Sequence, residues 1–293
     1  MKDLKYINSK LHEHFKELIP KNDLYEVLEY ALFPPGKLFR PELIYALASD
    51  LDSLTKNHEY FASAIETHHA YTLVHDDLPA MDNDDFRRGK PSTHKKYGQW
   101  KAILAGDALL SLSYGLLSKI ETKPNELLRL FHESTGAAGL IFGQYLDLES
   151  APKNIDDIIQ IHTLKTARLI QLSLSGSNIL SGNSALPKEL IEELGLNIGI
   201  VFQLIDDLTE LTEEINEHER EINPFLNFAS IELYSTINNC LENIYRTLDE
   251  NTLTNLNDIC ERYLNKMKSK INDGEEKIKT YIHDFDKELL KFK

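Results

Sequence analysis

Residues 75–94, HDDLPAMDNDDFRRGKPSTH, gather side chains that could do chemistry. Five aspartates lie between Asp76 and Asp85, and Arg87 and Arg88 follow at once. Carboxylates this close repel one another unless a cation neutralises them, and their oxygens are the ligands that Mg²⁺ prefers. Arginine binds phosphate through paired hydrogen bonds. By itself the segment is more often a solvated acidic loop, so it indicates a metal site only if other features agree.

A second acidic cluster lies at residues 205–210, IDDLTE. Asp206 and Glu210 are four residues apart, so they point the same way on a helix. The surrounding residues are apolar, and acidic side chains among them are costly unless they are paired or metal-bound. Cations accompany the clusters: Lys37 and Arg40 in GKLFRP, and Lys165 in a mostly apolar stretch. Together these features indicate a phosphate or diphosphate held by both metal and arginine.

Asp76 and Asp82 can bind the same ion only if the helix ends between them. In a regular helix, Asp82 would lie about 240° around the axis from Asp76. Pro79 can end the helix between them, because its ring disfavours helical geometry at Leu78 and removes a donor. The loop can then fold Asp82 back toward Asp76, so that both carboxylates reach one ion.

The histidines near the acidic segment and Asp107 each have a second interpretation. His68, His69 and His75 could form a zinc cluster, but one helix cannot direct all three at one point, and ordinary core or surface histidines are the simpler interpretation. Asp107, in LAGDALL, is either a buried hydrogen-bonded acid or part of a site.

Composition limits the partners and the compartment. The chain has 293 residues, 42% of them apolar, which suits one large domain over residues 1–293. A net charge of -15 argues against nucleic acid and anionic membranes as partners. The two cysteines have no metal-like spacing, which fits a reducing cytoplasm. The amino terminus lacks the apolar run of a signal peptide, and no stretch of about 18 apolar residues predicts a membrane span.

Apolar residues recur at helical spacing almost throughout, and strand signals are poor. The pattern predicts five long helices over 62–77, 102–120, 125–148, 155–180 and 187–211. Two or three more amphipathic helices are expected in the C-terminal third. The nearly all-apolar block 102–120 is expected to be central and buried. The predicted fold class is therefore all-α.

These motifs together resemble a known family. The matching segments are GKLFRP (36–41), HAYTLVHDDLPAMDNDDFRRGKPSTH (69–94), LAGDALL (104–110), GQYLDL (143–148), HTLKTA (162–167) and FQLIDDLTE (202–210). The chain is similar to trans-isoprenyl diphosphate synthases, most closely the short-chain bacterial farnesyl diphosphate synthases, up to about residue 230. The resemblance implies the isoprenoid synthase fold, a single large helical bundle around a central apolar cavity.

The resemblance also implies roles for individual residues. Three Mg²⁺ ions would grip the allylic diphosphate through carboxylates on both sides of the cavity: Asp76, Asp82, the weaker ligand Asp77, Asp206 and Glu210. Arg87 and Lys165 would contact the same diphosphate. Isopentenyl diphosphate would be held by Lys37, Arg40, His69 and Arg88. Thr166 and Gln203 would line the reacting centre.

Product length is expected to depend on what blocks the tunnel for the growing chain. Tyr71 lies roughly 7.5 Å along the helix axis from Asp76, and Thr72 is beside it. A ring at this depth is typical of a C15 product, farnesyl diphosphate; geranylgeranyl diphosphate is the alternative. A homodimer is implied by the resemblance, with the helix Ala102–Ile120 as a candidate interface.

Some residues depart from the family pattern. Glu210 stands where aspartate is usual, and Ala167 where glycine is common. The segment ELTEEINEHEREINPF (210–225) is short and contains no lysine, so weaker retention of the allylic substrate is expected. The short loop favours one alternative, a non-catalytic partner subunit of the same fold. Class I terpene cyclases and HD-type phosphohydrolases fit less well, since the second metal motif of the former and the separate upstream histidine of the latter are not evident.

Overall fold

The computed structural model describes residues 2–149, 152–215, 217–283 and 285–292. These residues are mostly helical, and the strands among them are two pieces of two residues each. The predicted all-α class is confirmed. Among the helices of the described residues, none combines the length and apolar character that a membrane crossing requires.

Internal contacts divide the chain into two compact units. The first unit is Met1–Arg129 with Ile179–Ala185, and the second is Leu130–Asn178 with Leu186–Lys293. One domain around a central cavity stays a prediction from sequence.

The first unit is built around one helix that is buried on nearly all sides. Its helices are α1 (Leu4–Leu18), α2 (Tyr25–Leu32), α3 (Phe39–Asp50), α4 (Lys56–Asp76), α5 (Thr93–Tyr97) and α6 (Gln99–Leu117). Within α4, Phe61, Ala64 and Ile65 have no exposed surface. Small and apolar residues occur on every face of α4, so neighbouring helices surround it, and it carries the first acidic cluster at its C-terminal end.

The segment after the acidic cluster forms a hairpin where the sequence suggested only a loop. Strand β1 (Phe86–Arg87) pairs antiparallel with β2 (Lys90–Pro91). The two turn residues, Arg88 and Gly89, have φ of 55° and 74°, as a two-residue hairpin turn requires. The Lys90 Nζ donates to the carbonyl oxygens of Tyr30 and Phe33 at 2.6 and 2.8 Å. The hairpin is thereby fixed to the C-terminal end of α2.

Helix α6 differs from the prediction that block 102–120 is central and buried. One face packs inward through Ala105 and Leu109, which have no exposed surface, and this face contacts α4. The other face leaves Trp100, Ile103 and Leu104 exposed by 65%, 44% and 47%. An apolar composition therefore did not distinguish a buried helix from one with an exposed apolar face.

The second unit holds the remaining helices. They are α8 (Leu140–Glu149), α9 (Ile155–His162), α10 (Arg168–Leu180, whose last two residues belong to the first unit), α11 (Lys188–Glu210), α12 (Glu217–Ile222), α13 (Pro224–Asn227), α14 (Ser230–Glu250), α15 (Thr254–Asp273) and α16 (Glu275–Tyr281). Helix α7 (Pro124–Thr135) begins in the first unit and ends in the second. Helix α11 forms the core with α14 and α15, through residues such as Leu204, Ile237 and Leu256.

Two predicted helices are interrupted. The block 125–148 is not one helix, because α7 ends at Thr135 and α8 begins at Leu140. The intervening GAAG contains two glycines, which lose the most backbone freedom in a helix. The block 155–180 contains a π-helical turn, Thr163–Ala167, between α9 and α10. The extra residue of a π turn leaves no mark in apolar spacing, although such turns are frequent at functional sites.

Candidate active site

The acidic loop of the first unit folds as the helix break predicts. Helix α4 ends at Asp76, and the backbone N–H of Asp82 donates to the Asp76 carbonyl oxygen at 2.9 Å. The Asn83 N–H donates to the Leu78 carbonyl at 3.1 Å, which closes the loop around Pro79. The backbones of Asp76 and Asp82 are thus in contact at the C-terminal end of α4. Both side chains are half-buried.

Asp77 is directed to an arginine. Its carboxylate is 3% exposed and accepts hydrogen bonds from Arg87 Nε and Nη2 at 2.8 and 2.6 Å. Asp84, which is 48% exposed, accepts a second bond from Nη2 at 2.5 Å. Burial raises the pKa of Asp77 more than Arg87 lowers it, whereas the pKa of Arg87 is raised because its two carboxylate partners outweigh partial burial. A guanidinium at hydrogen-bond distance favours the ionised form of its acceptor, so at neutral pH we treat both groups as charged.

Arg88 points away from Arg87. Its side chain is 20% exposed, its Nη1 donates to the Pro34 carbonyl at 3.3 Å, and its Nη2 lies 3.8 Å from Glu66 Oε1. The hairpin turn separates the two side chains, which therefore contact different groups. Their divergence agrees with the expectation that they serve different diphosphates, and the ligands themselves stay a prediction.

A basic cluster surrounds Glu66 on α4. Arg40 is the second residue of α3, and burial lowers its pKa to about 10. Burial also lowers the pKa of His69 well below its ordinary value, with the charges of Arg40 and Arg88 adding to the effect, so His69 is neutral at pH 7. Lys37 lies exposed on the loop before α3. Sequence reasoning missed Glu66; an acid inside the apolar run ASAIETHHAY was the available signal.

The predicted chain-length residues are buried on α4. Tyr71 is 6% exposed and Thr72 is 9% exposed. The Tyr71 ring contacts His68 and His75 edge-on, with centroids 4.6 and 5.6 Å apart. Burial raises the pKa of Tyr71 to about 12, so its hydroxyl is neutral. The Thr72 hydroxyl donates to the carbonyl of His69 in its own helix.

The histidines do not converge on a metal. The Nδ1 of His68 lies 3.4 Å from the Ser113 hydroxyl, whereas the Nε2 of His75 lies 3.0 Å from the Ile103 carbonyl. Asp107 is 59% exposed and 3.8 Å from His75, so the interpretation as a buried acid is wrong.

In the second unit, the π-helical turn directs Lys165 toward α8. Lys165 Nζ forms a salt bridge with Asp147, and both side chains are about one quarter exposed, at 28% and 23%. A Cβ on Gly143 would lie 2.3 Å from the Lys165 backbone nitrogen, so only glycine permits this approach of α8. Asp147 lies in the GQYLDL segment, but the sequence did not predict its salt bridge with Lys165.

The next residue of the turn begins a polar network on α11. The Thr166 hydroxyl donates to Gln203 Oε1 at 2.9 Å, and Gln203 Nε2 donates to Asp207 Oδ1 at 2.8 Å. Asp207 Oδ2 is buried without a hydrogen-bond partner among the described residues, 3.4 Å from His162 Nε2. A Cβ on Gly199 would lie 2.4 Å from the backbone of the turn, so the two elements pack in close contact. The predicted pair Thr166 and Gln203 is thus in contact.

The network contains two titratable groups that sequence reasoning missed. Burial raises the pKa of Asp207 well above its ordinary value, and the charges of Glu210 and Asp206 add to the effect. Burial lowers the pKa of His162 to about 4, so its ring is neutral at pH 7. The signal was the second aspartate of IDDLTE, which points to the apolar side of the helix.

Asp206 and Glu210 lie one turn apart on α11, as predicted. Asp206 is half-buried and Glu210 is exposed. Asn223 Nδ2 donates to the Asp207 carbonyl at 2.8 Å and lies 3.5 Å from Glu210 Oε2, so the end of the short loop closes on α11. Asn216, within that loop, lies outside the described residues.

The donor chemistry fits Mg²⁺. Among the described residues, no group of three or more His, Cys, Asp or Glu is arranged to hold a metal by itself. Mg²⁺ is usually held by one or two carboxylates, with waters and substrate phosphates as the remaining ligands. The pair Asp76 and Asp82 in the first unit, and the pair Asp206 and Glu210 in the second, match that requirement.

Comparisons with known proteins agree with the motifs. A family model described as "Polyprenyl synthetase" matches residues 21–223, a span that includes both acidic clusters. A farnesyl diphosphate synthase of Buchnera aphidicola subsp. Schizaphis graminum is 37% identical over 74% of this chain and 77% of that protein. The farnesyl diphosphate synthase of Geobacillus stearothermophilus is 33% identical over 70% and 72%. The crystal structure of a geranyltranstransferase from Thermotoga maritima has a TM-score of 0.80 at 26% identity, covering 90% of this chain and 97% of that one. Because both the family model and these relatives span most of the chain, the protein belongs to the polyprenyl synthetase family.

Proposed function

We propose that this protein is a short-chain trans-prenyltransferase. It condenses isopentenyl diphosphate with dimethylallyl and geranyl diphosphates to farnesyl diphosphate. The observation that carries the proposal is the loop that brings Asp76 and Asp82 together. Beside it, Arg87 and Arg88 point to different groups, Asp77 and the Pro34 carbonyl. Its relatives are named farnesyl diphosphate synthase and geranyltranstransferase.

The cofactor, three Mg²⁺ ions, would be held by Asp76 and Asp82 at the end of α4 and by Asp206 and Glu210 on α11. When bound, Mg²⁺ supplies positive charge against the diphosphate that leaves the allylic substrate. Asp77 accepts two hydrogen bonds from Arg87. We therefore propose that Asp77 orients this arginine and is not a direct metal ligand.

The two substrates are recognised by different cations. Arg87 and Lys165 are the cations assigned to the allylic diphosphate. Lys37, Arg40, His69 and Arg88 hold isopentenyl diphosphate. Since the pKa of His69 is lowered by burial and neighbouring arginines, its neutral ring serves as a hydrogen-bond partner and adds no charge.

The reaction begins when the allylic C–O bond breaks and gives an allyl cation and a diphosphate anion. Oxygens of Thr166 and Gln203 stabilise the cation, and their mutual hydrogen bond fixes them before the charge develops. The double bond of isopentenyl diphosphate supplies the electron pair of the new C–C bond. The positive charge then lies on the other carbon of that former double bond. A neighbouring carbon loses a proton to the departing diphosphate, and the C–H electron pair forms the new double bond and removes the charge.

Product length is set on α4. The buried Tyr71 ring, held between His68 and His75, ends the space for the chain one to two turns from Asp76. We therefore assign farnesyl diphosphate as the product, with geranylgeranyl diphosphate as the outcome if the ring moves aside.

A second copy of the chain covers the exposed apolar face of α6. Trp100, Ile103 and Leu104 form one stripe on that helix, and a stripe of this kind is typical of a protein–protein interface. Sedimentation of the wild-type protein at micromolar concentration is expected to give the mass of a dimer. The Leu104→Asp variant is expected to give the mass of a monomer.

The function is tested with purified protein, Mg²⁺, isopentenyl diphosphate and either dimethylallyl or geranyl diphosphate, followed by chromatography of the products. A C15 diphosphate from either primer is expected, and chelation of the metal with EDTA should abolish it. A C20 product would instead identify the protein as a geranylgeranyl diphosphate synthase. A cyclised hydrocarbon formed from the allylic substrate alone would identify it as a cyclase. No condensation with either primer would leave the non-catalytic partner subunit, for which the lysine-free segment 210–225 is the supporting observation.

A further inference from the structure

Glu66 is a buried carboxylate among cations, and no role has been given to it so far. It lies on α4, ten residues before Asp76, and is 3% exposed. The backbone N–H of Gly36 donates to it, and Arg40 and Arg88 are the cations that act on it. One acid therefore interacts with three separate parts of the first unit: with the loop before α3 by a hydrogen bond, with the hairpin turn by an ion pair at 3.8 Å, and with α3 through the charge of Arg40.

The charges in this cluster do not balance. Arg40 and Arg88 are each positive and His69 is neutral, whereas burial raises the pKa of Glu66 against the effect of the two arginines. Glu66 supplies at most one negative charge, so at least one positive charge is left over. A buried charge without compensation is costly, and an anion that enters the cluster removes that cost. The cluster is therefore suited to an anionic ligand.

The arginines also keep unused donors. Arg88 Nη2 lies 3.8 Å from Glu66 Oε1, which is too long for a hydrogen bond. Arg40 Nε is buried without a hydrogen-bond partner among the described residues. Glu66 thus attracts the two guanidinium groups without occupying their donors.

We propose that Glu66 is a positioning residue for the non-allylic substrate: through the Gly36 N–H, Arg40 and Arg88 it holds the donors that bind the diphosphate of isopentenyl diphosphate. This inference rests on the proposed prenyltransferase function. Glu66 itself does not touch the substrate, because its negative charge would repel it.

Two physical effects of removing the charge have opposite signs. If Glu66 is only a counter-ion, Glu66→Gln makes the cluster more positive and the affinity for a diphosphate rises. If Glu66 sets the positions of the donors, the same change releases Arg88 and the loop at Gly36, and the affinity falls. The direction of the change therefore separates a positioning role from a merely electrostatic one.

The experiment compares Glu66→Gln with Glu59→Gln in the full chain. Glu59 lies two turns earlier on α4 and accepts a bond from Tyr6, away from the arginines, so it controls for the loss of a half-buried carboxylate on the same helix. For Glu66→Gln we expect the KM for isopentenyl diphosphate to rise about 10- to 100-fold, since hydrogen bonds to charged groups contribute on that scale. The KM for geranyl diphosphate should change by less than about twofold, and Glu59→Gln should leave both constants unchanged.

An unchanged or lower KM for isopentenyl diphosphate in Glu66→Gln overturns the proposal. Glu66→Asp, which keeps the charge and shortens the side chain by one methylene, should give an intermediate KM and carries the test if the glutamine variant does not fold. Titration calorimetry with isopentenyl diphosphate gives the same comparison without turnover. If the wild-type protein binds this ligand and Glu66→Gln does not, the inference holds even where the condensation assay fails.

Discussion

The buried pair of Asp77 and Arg87 allows a quantitative prediction with a built-in control. Arg87 Nη2 contacts two carboxylates at similar distances, Asp77 at 2.6 Å and Asp84 at 2.5 Å. The carboxylates differ in burial, at 3% and 48% exposure. The distances to Nη2 alone would make them equal partners. Desolvation and the second bond, from Nε to Asp77, both predict that Asp77 dominates.

For Asp77→Ala, two charge-assisted hydrogen bonds are lost. Removing one partner of a fully buried pair costs about 3–5 kcal/mol. Arg87 is 34% exposed, so water can solvate it in part. We therefore expect the free energy of unfolding to fall by about 2–3 kcal/mol, which lowers the Tm by roughly 4–12 °C. Asp84→Ala removes an exposed pair, and about 0.2–1 kcal/mol is expected.

The assay is thermal unfolding at pH 7 in EDTA, followed by far-UV circular dichroism. An Arg87→Ala background provides the second half of a double-mutant cycle: there, Asp77→Ala should cost clearly less, because the pair is already broken. The KM for geranyl diphosphate should also rise in Asp77→Ala if that carboxylate orients Arg87. Equal Tm losses in Asp77→Ala and Asp84→Ala would refute the reasoning, since burial would then have no influence on the pair.

Three further predictions concern the two acidic clusters and the arginines. Asp76→Ala and Asp206→Ala should each lower kcat by at least about 100-fold with the fold intact by circular dichroism, and full activity in either variant would remove that residue as a metal ligand. Arg88→Ala should raise the KM for isopentenyl diphosphate by about 10- to 100-fold and Arg87→Ala that for geranyl diphosphate; an equal effect of both on one substrate would contradict their separate assignment. Asp207→Asn should raise the Tm at pH 7 by about 2–10 °C in EDTA, because a buried carboxylate oxygen without a partner is removed while the bond from the Gln203 amide is kept. The pKa of Asp207 is raised in the folded state, so its contribution to stability is present below the unfolded pKa of about 3.9 and is lost as pH rises. The difference in Tm between variant and wild type should therefore vanish near pH 4 and grow toward neutral pH. A constant difference in Tm from about pH 4 to 8 would show that ionisation is not the cause.

Local features of the site were predictable because they depend on near neighbours in the chain. Pro79 predicts that α4 ends and that Asp82 turns back, and the Asp82–Asp76 backbone bond agrees. The spacing of Asp206 and Glu210 predicts one helical face, and α11 provides it. A break at a proline and a four-residue repeat are both set by backbone geometry over a single turn.

The errors of the sequence reading lie where local signals compete with packing. The glycines of GAAG end α7, although apolar spacing continues through them. Helix α6 is mostly apolar, yet one of its faces is exposed, since apolar spacing does not say which neighbours a helix finds. The hairpin at Arg87–Lys90 also has no alternating pattern, because two residues a strand are too few to show one.

The sequence by itself determined the inventory: an all-helical chain, two carboxylate clusters at helical ends, and a small set of cations whose motifs resemble one enzyme family. The tertiary structure decided the partners. Glu66 and Arg88 are separated by 22 positions and Lys165 and Asp147 by 18, and Thr166 reaches Gln203 only because the π-helical turn packs in close contact with α11. Burial and charge pairing act through space, so which carboxylate binds a metal and which one orients an arginine depends on contacts that residue spacing does not encode.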